Sequence, residues 1–286
     1  MHKARQPKRR NDVKPPVARS TPLGHGFLRW AGSKRKLLPR LLESLPENYD
    51  RYVEPFAGSA CLFFALQPEQ AVLGDINNEL INTYVEVRDR VEEVIERLEK
   101  MGCGEKDFYQ MRSLDPDSLS SPDRAVRFIY LNRFCFNGLY RTNLLGRFNV
   151  PYGGEKSGRV PPADFLRKCS VALQGVTLMA SSFEETMGIV RQGDFVYLDP
   201  PYCIRARRVF NEYSNASFGS EQLIALRSHL ERIDRMSVPF LVSYGYSREA
   251  LELGRGFNRQ QAVVQRQIAG FAADRRKSRE IVITNF

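Results

Sequence analysis

Histidine and cysteine are scarce in this 286-residue chain, and where they fall excludes several chemistries. His2, His25 and His229 are the only histidines, and two of them lie near the N-terminus, which leaves no set for a zinc centre or a histidine-based triad. The cysteines Cys61, Cys103, Cys135, Cys169 and Cys203 are odd in number, scattered and without a CxxC pair. They read as reduced thiols of a cytosolic-type compartment, with neither a disulfide framework nor a metal site. No run is long and apolar enough to span a membrane. The N-terminus is basic with no apolar segment behind it, so no secretory signal is read and the chain is expected in the cytoplasm. No internal repeat is visible.

What is present is an ordinary globular balance, with 42% hydrophobic residues, and an excess of positive charge. Forty-three Lys and Arg against 33 Asp and Glu give +10, which favours a polyanionic partner, most simply nucleic acid. The length suits one large α/β domain with an insertion, or two domains. Residues 1 to about 24 hold Lys3, Arg5, Lys8, Arg9, Arg10, Lys14 and Arg19 among four prolines. That composition cannot bury a core and reads as a disordered basic arm.

The chain is organised around Asp199-Pro200-Pro201-Tyr202, which closes the apolar run Phe195-Val196-Tyr197-Leu198. A β-rich run halted by two prolines reads as a buried strand that ends abruptly, because proline cannot donate to a sheet ladder. In an open α/β sheet that carboxyl edge is where ligands bind. The four groups suit methyl transfer to an exocyclic amino nitrogen. Such a nitrogen is a poor nucleophile while its lone pair is delocalised into the ring. Hydrogen bonds from its two N–H groups, one to the Asp199 carboxylate and one to the Pro200 carbonyl, favour a pyramidal nitrogen with its lone pair aimed at the donor. Tyr202 is placed to stack on a base lifted out of a duplex. A plain strand cap is the competing reading of the tetrapeptide alone, and its neighbours decide between them.

Taken in order, Phe27 to Lys34 leads through a Gly-Ser turn into leucines at helical spacing, which puts Lys34 near a helix N-terminus. Tyr52-Val53-Glu54 reads as a strand, Pro55 to Ala60 as a small-residue turn, Cys61–Leu66 as a helix and Ala71–Asp75 as a second strand ending in an acid. Strand, small-residue loop, helix, strand and acid make the nucleotide-binding half of an open α/β sheet, the acid accepting from ribose hydroxyls. Residues 80 to 115 read as helical, with Val87, Val91, Val94, Ile95 and Leu98 as the apolar stripe. A helix follows over Arg124–Arg133, then a turn at Leu144 to Arg147 between short strands. Arg133, Asn137, Arg141, Asn143 and Arg147 interleave with aromatics there, which suits a nucleic-acid surface. A loop-rich subdomain with a small aromatic core is the alternative. From Ala163 the α/β pattern resumes, with strands expected at Val176–Met179, Val238–Ser243, Ala262–Ile268 and Ile281–Phe286. A helix carrying Leu223, Leu226 and Leu230 is expected to be capped by Ser220.

These pieces together resemble the Dam-type, D12-class DNA adenine N6-methyltransferases over nearly the whole chain after residue 26. The matching stretches are Phe27 to Lys34, Glu54 to Gly58, Asp75 to Asn77, Tyr130 to Arg133, Asn137 to Leu139, Arg141, Phe148 to Pro151 and Asp199 to Tyr202, in the family's order. The resemblance implies a doubly wound, Rossmann-like sheet with S-adenosylmethionine as donor and duplex DNA as partner. It places a catalytic domain at 25–82 and 163–286, and a mostly helical target-recognition insertion carrying a β-hairpin at 83–162. It implies Asp199, Pro200, Pro201 and Tyr202 as the catalytic group. Trp30, Lys34, Phe56, Gly58, Asp75, Ile76, Phe183 and Asp199 would hold the cofactor. Arg29, Arg133, Phe136, Asn137, Leu139, Arg141, Asn143 and Pro151 would meet DNA, with Phe136 as an intercalating wedge and Arg141 as the guanine contact. The target would be GATC or a related short palindrome. The chain departs from the family at Ala60, often glycine, at Gly154-Glu155, and at Ser243-Tyr244, more usually Ser-Asn. An N4-cytosine or RNA amino-methyltransferase and an inactive DNA-binding relative are the alternatives. No obligate protein partner is evident, and an accompanying restriction enzyme is left open.

Overall fold

A computed structural model describes residues 23–143, 145–155, 158–202, 218–265 and 277–286. The basic arm through residue 22, Leu144, Cys203, the polar connection from Phe210 to Ala216 and the Arg275-Arg276 pair lie outside the described residues.

Alternation along the strands decides the architecture. In β4 (Asp194–Leu198) every residue is buried, which is the mark of a strand covered on both faces. Phe195 and Tyr197 enter one apolar cluster, while Val196 and Leu198 enter a second on the opposite face. The same split runs through β1 (Arg51–Glu54), where Tyr52 and Val53 part, and β2 (Ala71–Asp75), where Leu73 and Val72 part. With β3 (Val176–Ala180), β5 (Phe240–Gly245), β6 (Asn258–Gln265) and β7 (Lys277–Thr284) these form a seven-stranded sheet in the order β3-β2-β1-β4-β5-β7-β6. Its first five strands are parallel, and β6 and β7 are antiparallel.

On the first face lie α1 (Leu38–Glu43), α2 (Cys61–Leu66) and α3 (Asn78–Asp89), extended by α4 (Val91–Glu99), α5 (Glu105–Ser113), α6 (Ser121–Phe134) and α7 (Ala163–Leu173). On the second lie α8 (Phe183–Gly188), α9 (Ser220–Arg235) and α10 (Arg248–Leu253). None of the described helices is long and apolar enough to cross a membrane.

The strand order reverses between β1 and β4, since the chain leaves β1 toward β2 and β3 and returns on the other side as β4. Ligands of open α/β sheets bind in the crevice at such a reversal, beyond the carboxyl ends of the strands. The far end of the same pair is stapled: Arg51 donates Nε and Nη2 to the fully buried Asp194 at 2.9 and 2.8 Å. The Arg51–Asp194 pair thus braces the end of the sheet opposite the crevice.

Several expected elements are redrawn. The helical stretch 80–115 is three helices, broken at Arg90, whose φ of −137° leaves the helical region, and around Gly102-Cys103-Gly104. The expected strands of a hairpin reduce to single bridges, Thr142 with Phe148 and Cys135 with Tyr152. β6 and β7 each begin about four residues before their expected starts. Gly219 rather than Ser220 caps α9, with Gln222 Oε1 accepting from the Gly219 N–H at 2.9 Å.

Candidate active site and nucleic-acid interface

The loop that leaves β1 is fixed around Gly58. Its N–H donates to Asp75 Oδ2 at 3.0 Å, and its carbonyl accepts from the buried Tyr84 hydroxyl at 2.6 Å. A φ of +46° favours glycine, and a Cβ there would come within 2.8 Å of Trp30 Nε1. Ala60, two residues on, holds φ +47° with a Cβ present, so the departure from glycine leaves a non-glycine residue in the left-handed region at the start of α2. Asp75 also accepts from the Asn77 N–H at 2.9 Å. Burial raises the Asp75 carboxyl above the usual range, and the two backbone N–H groups oppose that. Beside the acid, Ile76 is 64% exposed, and Phe56 stacks on Phe183 at 5.2 Å. The Ser181 N–H donates to the Asp75 carbonyl at 3.0 Å, which draws the Phe183 segment to the end of β2. An acid flanked by an exposed isoleucine and half-buried aromatic rings suits a nucleoside, with the acid for sugar hydroxyls and the rings for the base.

Across the crevice, Asp199 directly follows β4. Lys34, the first residue of a short 3₁₀ turn (Lys34–Lys36), donates its ammonium to Asp199 Oδ1 and to the Gly32 carbonyl. The Lys34 side chain is 8% exposed and that of Asp199 21%. Burial pulls the lysine down, yet Asp199, aided by Tyr202 and Glu280, more than offsets it and leaves the ammonium held above its ordinary value. Burial pushes the Asp199 carboxyl above its ordinary value, and Lys34 only partly opposes that. The Tyr202 ring lies 5.7 Å from Lys34 Nζ and edge-on to Tyr244 at 5.3 Å, and the Tyr244 hydroxyl donates to the Pro201 carbonyl at 3.4 Å. Pro200 is buried, whereas Pro201 and Tyr202 are exposed at the crevice mouth.

The expected DNA-facing residues are tied to this crevice through α6. Asn132, 1% exposed, accepts from the Arg29 N–H at 2.8 Å and donates to the Arg29 carbonyl at 2.6 Å. Arg133 spends its guanidinium on the carbonyls of Arg159 at 2.7 Å and Phe27 at 3.5 Å, which makes it a brace in this structure. Gly138 packs where a Cβ would meet the Arg29 Cβ at 2.5 Å. Phe136 is 44% exposed, and its N–H donates to the Pro151 carbonyl at 2.9 Å. Asn137 holds φ +59° beside it, and Leu139 is half-buried. Arg141 is half-buried and donates Nε to Asn149 Oδ1 at 2.8 Å. Asn143 accepts from the N–H groups of Leu145 and Arg147, both at 3.0 Å, so its oxygen shapes the turn.

Three residues that join these parts carry no expected site role. Tyr140 lies between two expected DNA contacts, yet its ring stacks on Trp30 at 6.1 Å and 14°. Glu54, buried at the end of β1, accepts from the Tyr52 hydroxyl at 2.8 Å. Glu280 is 3% exposed on β7 and accepts from the Tyr202 hydroxyl. A carboxylate opening the buried run Ile281-Val282-Ile283 was a readable signal, because an acid is rarely buried without a partner.

The sequence is similar to those of known proteins. The family model of the D12 class N6 adenine-specific DNA methyltransferases matches residues 30–268. A Type II methyltransferase of Lactococcus lactis subsp. cremoris is 36% identical over 269 residues, covering 91% of this chain and 95% of the relative. A Type II methyltransferase of Methanocaldococcus jannaschii is 32% identical over 285 residues, covering 91% and 98%. The DNA adenine methylase of Escherichia coli K12 is 32% identical over 262 residues, covering 90% and 93%.

Proposed function

The chain belongs to the D12 class of N6 adenine-specific DNA methyltransferases, and from that premise we propose that it moves a methyl group from S-adenosylmethionine to an adenine flipped out of duplex DNA, at GATC or a related short palindrome. The observation that carries this reading is Asp199 at the carboxyl end of β4, beside the sheet's reversal, paired with the buried ammonium of Lys34 and next to Tyr202.

The residues present fit the cofactor. Asp75 stands beside an exposed apolar side chain, the Phe56–Phe183 stack offers a ring surface, and the turn at Gly58 lets the Trp30 ring pack directly against the loop. Asp75 would take the ribose hydroxyls, Ile76, Phe56 and Phe183 the purine, and Trp30 with Lys34 the amino-acid end. When bound, the cofactor supplies an electrophilic methyl carbon on a sulfonium. The chain's own contribution is orientation and charge. Asp199, held by Lys34, accepts one N–H of the adenine amino group and the Pro200 carbonyl accepts the other, so the nitrogen lone pair is directed out of the ring plane. The carboxylate also stabilises the positive charge that develops on that nitrogen, which sheds one proton to solvent while S-adenosylhomocysteine leaves. Tyr202 stacks on the extruded base.

Residues 83–162 would form the recognition insertion, with Arg29, Phe136, Asn137, Leu139, Arg141, Asn143 and Pro151 toward DNA and Arg133 bracing them. Phe136 is the wedge and Arg141 the bidentate reader of guanine. Mapping methylated positions on a plasmid that carries all short palindromes tests the target. Modification confined to GATC or one relative is expected, and adenines modified without regard to sequence would sink the recognition reading. Arg141→Ala should cost about 1–3 kcal/mol of discrimination at one base pair. A uniform loss on every sequence would make Arg141 a phosphate contact instead.

A further inference from the structure

Tyr202 follows two prolines at the end of β4, yet its ring is walled by strands on the other side of that end. Gly245 ends β5, and its partner across the antiparallel ladder is Glu280 of β7. A Cβ on Gly245 would stand 3.0 Å from Tyr202 Cε1, so the glycine leaves room for the ring. Glu280 is 3% exposed, and its carboxylate oxygens accept from the Tyr202 hydroxyl at 3.3 and 3.5 Å, the long end of hydrogen bonding. Catalytic hydrogen bonds are often long before substrate arrives and tighten in the complex. The ring face lies 5.7 Å from Lys34 Nζ, so the tyrosine is fixed at its hydroxyl and also beside the ion pair.

We infer that Glu280 is a positioning residue for methyl transfer: from β7 it holds the Tyr202 hydroxyl so that the ring, seated against Gly245, is already oriented to receive the extruded adenine. The inference rests on the reading of Tyr202 as the base-stacking residue. Its physical basis is preorganisation. Tyr202 stands on an exposed turn, and a side chain ordered before the base arrives loses no rotamer freedom when it stacks. A carboxylate suits the task because it only accepts and so keeps the phenol proton pointed one way.

The test uses full-length protein, S-adenosylmethionine and duplex DNA with 2-aminopurine at the target adenine, whose fluorescence rises on unstacking from the duplex and is quenched by an aromatic stacked on it. Steady-state methylation is measured on unmodified DNA in parallel. Glu280→Ala should lower kcat by about tenfold, the size of one charge-assisted hydrogen bond, with little change in KM for DNA, and should brighten the flipped probe. Tyr202→Phe should do the same, and the double variant should be no worse than either single one. Glu280→Gln, which still accepts through its amide oxygen, should recover most of the loss. Gly245→Ala, which leaves Glu280 intact and displaces the ring, should brighten the probe as well. Losses that multiply in the double variant, or Glu280→Gln as damaging as Glu280→Ala, would overturn the inference. A wild-type enzyme that methylates DNA without any probe response would overturn the stacking reading beneath it.

Discussion

Asp199 sits where burial disfavours the carboxylate, and Lys34 offsets that in part. The proposed chemistry uses the ionised form, and burial sets its pKa above the ordinary aspartate value. Activity should therefore fall toward acid with a midpoint above the ordinary range near 3.9, and a limb at or below that value would contradict the assignment. Asp199→Ala should lower methyl transfer by at least about a hundredfold while leaving the fold and most DNA affinity intact. Glu54 gives a second test, one of stability. Burial pushes its carboxyl well above the usual range, and the Tyr52 hydroxyl only partly opposes this. A carboxyl whose folded pKa lies above its unfolded value costs stability as pH rises from the unfolded value through the folded one, because the unfolded chain sheds the proton first. Glu54→Gln keeps an acceptor for Tyr52 and removes that cost. Its melting temperature should exceed the wild-type value at pH 8 and match it at pH 4, and an equal difference at both pH values would refute the argument.

At the scale of elements, α6 clamps the chain segment that leads into Trp30 and Lys34. Its Asn132 grips both backbone groups of Arg29, and the next residue is Trp30, which stacks on Tyr140. Loss of Asn132 would leave a buried N–H and carbonyl unpaired, so Asn132→Ala should cost on the order of 2–4 kcal/mol in urea unfolding. The emission of Trp30, the only tryptophan, should shift to the red as its stack loosens. A change under about 0.5 kcal/mol would show that the clamp is incidental. The central strands were legible because each is an apolar run stopped by proline, glycine or an acid, as in Phe195 to Pro200. The break at Arg90 was not, because the stripe from Val87 through Val91 to Val94 and Ile95 keeps helical spacing across it. β6 was misplaced because Asn258, Arg259, Gln260 and Gln261 are exposed at the sheet's edge and show no apolar alternation. The bridges around Thr142 could not be told from strands in the sequence, since the turn there is shaped by the Asn143 side chain.

For the whole molecule, the order of motifs placed the acid of β2 and the tetrapeptide of β4 correctly at one sheet edge. What one sequence does not contain is which distant residues meet. Lys34 and Asp199 are 165 positions apart, and Tyr202 and Glu280 are 78 apart. Net charge acts at this scale too. With +10 overall and seven basic residues before position 20, DNA affinity should fall steeply with salt. Removing residues 1–22 should flatten that dependence without changing which bases are modified, and an altered site preference would give the arm a role in reading sequence. The most direct measurement is of the product itself. The enzyme is incubated with unmethylated duplex DNA and isotopically labelled S-adenosylmethionine, and the DNA is digested to nucleosides for identification by mass. Labelled N6-methyladenine from the wild type, and none from Asp199→Ala, is the predicted result. Label on cytosine, or equal N6-methyladenine from both proteins, would contradict it.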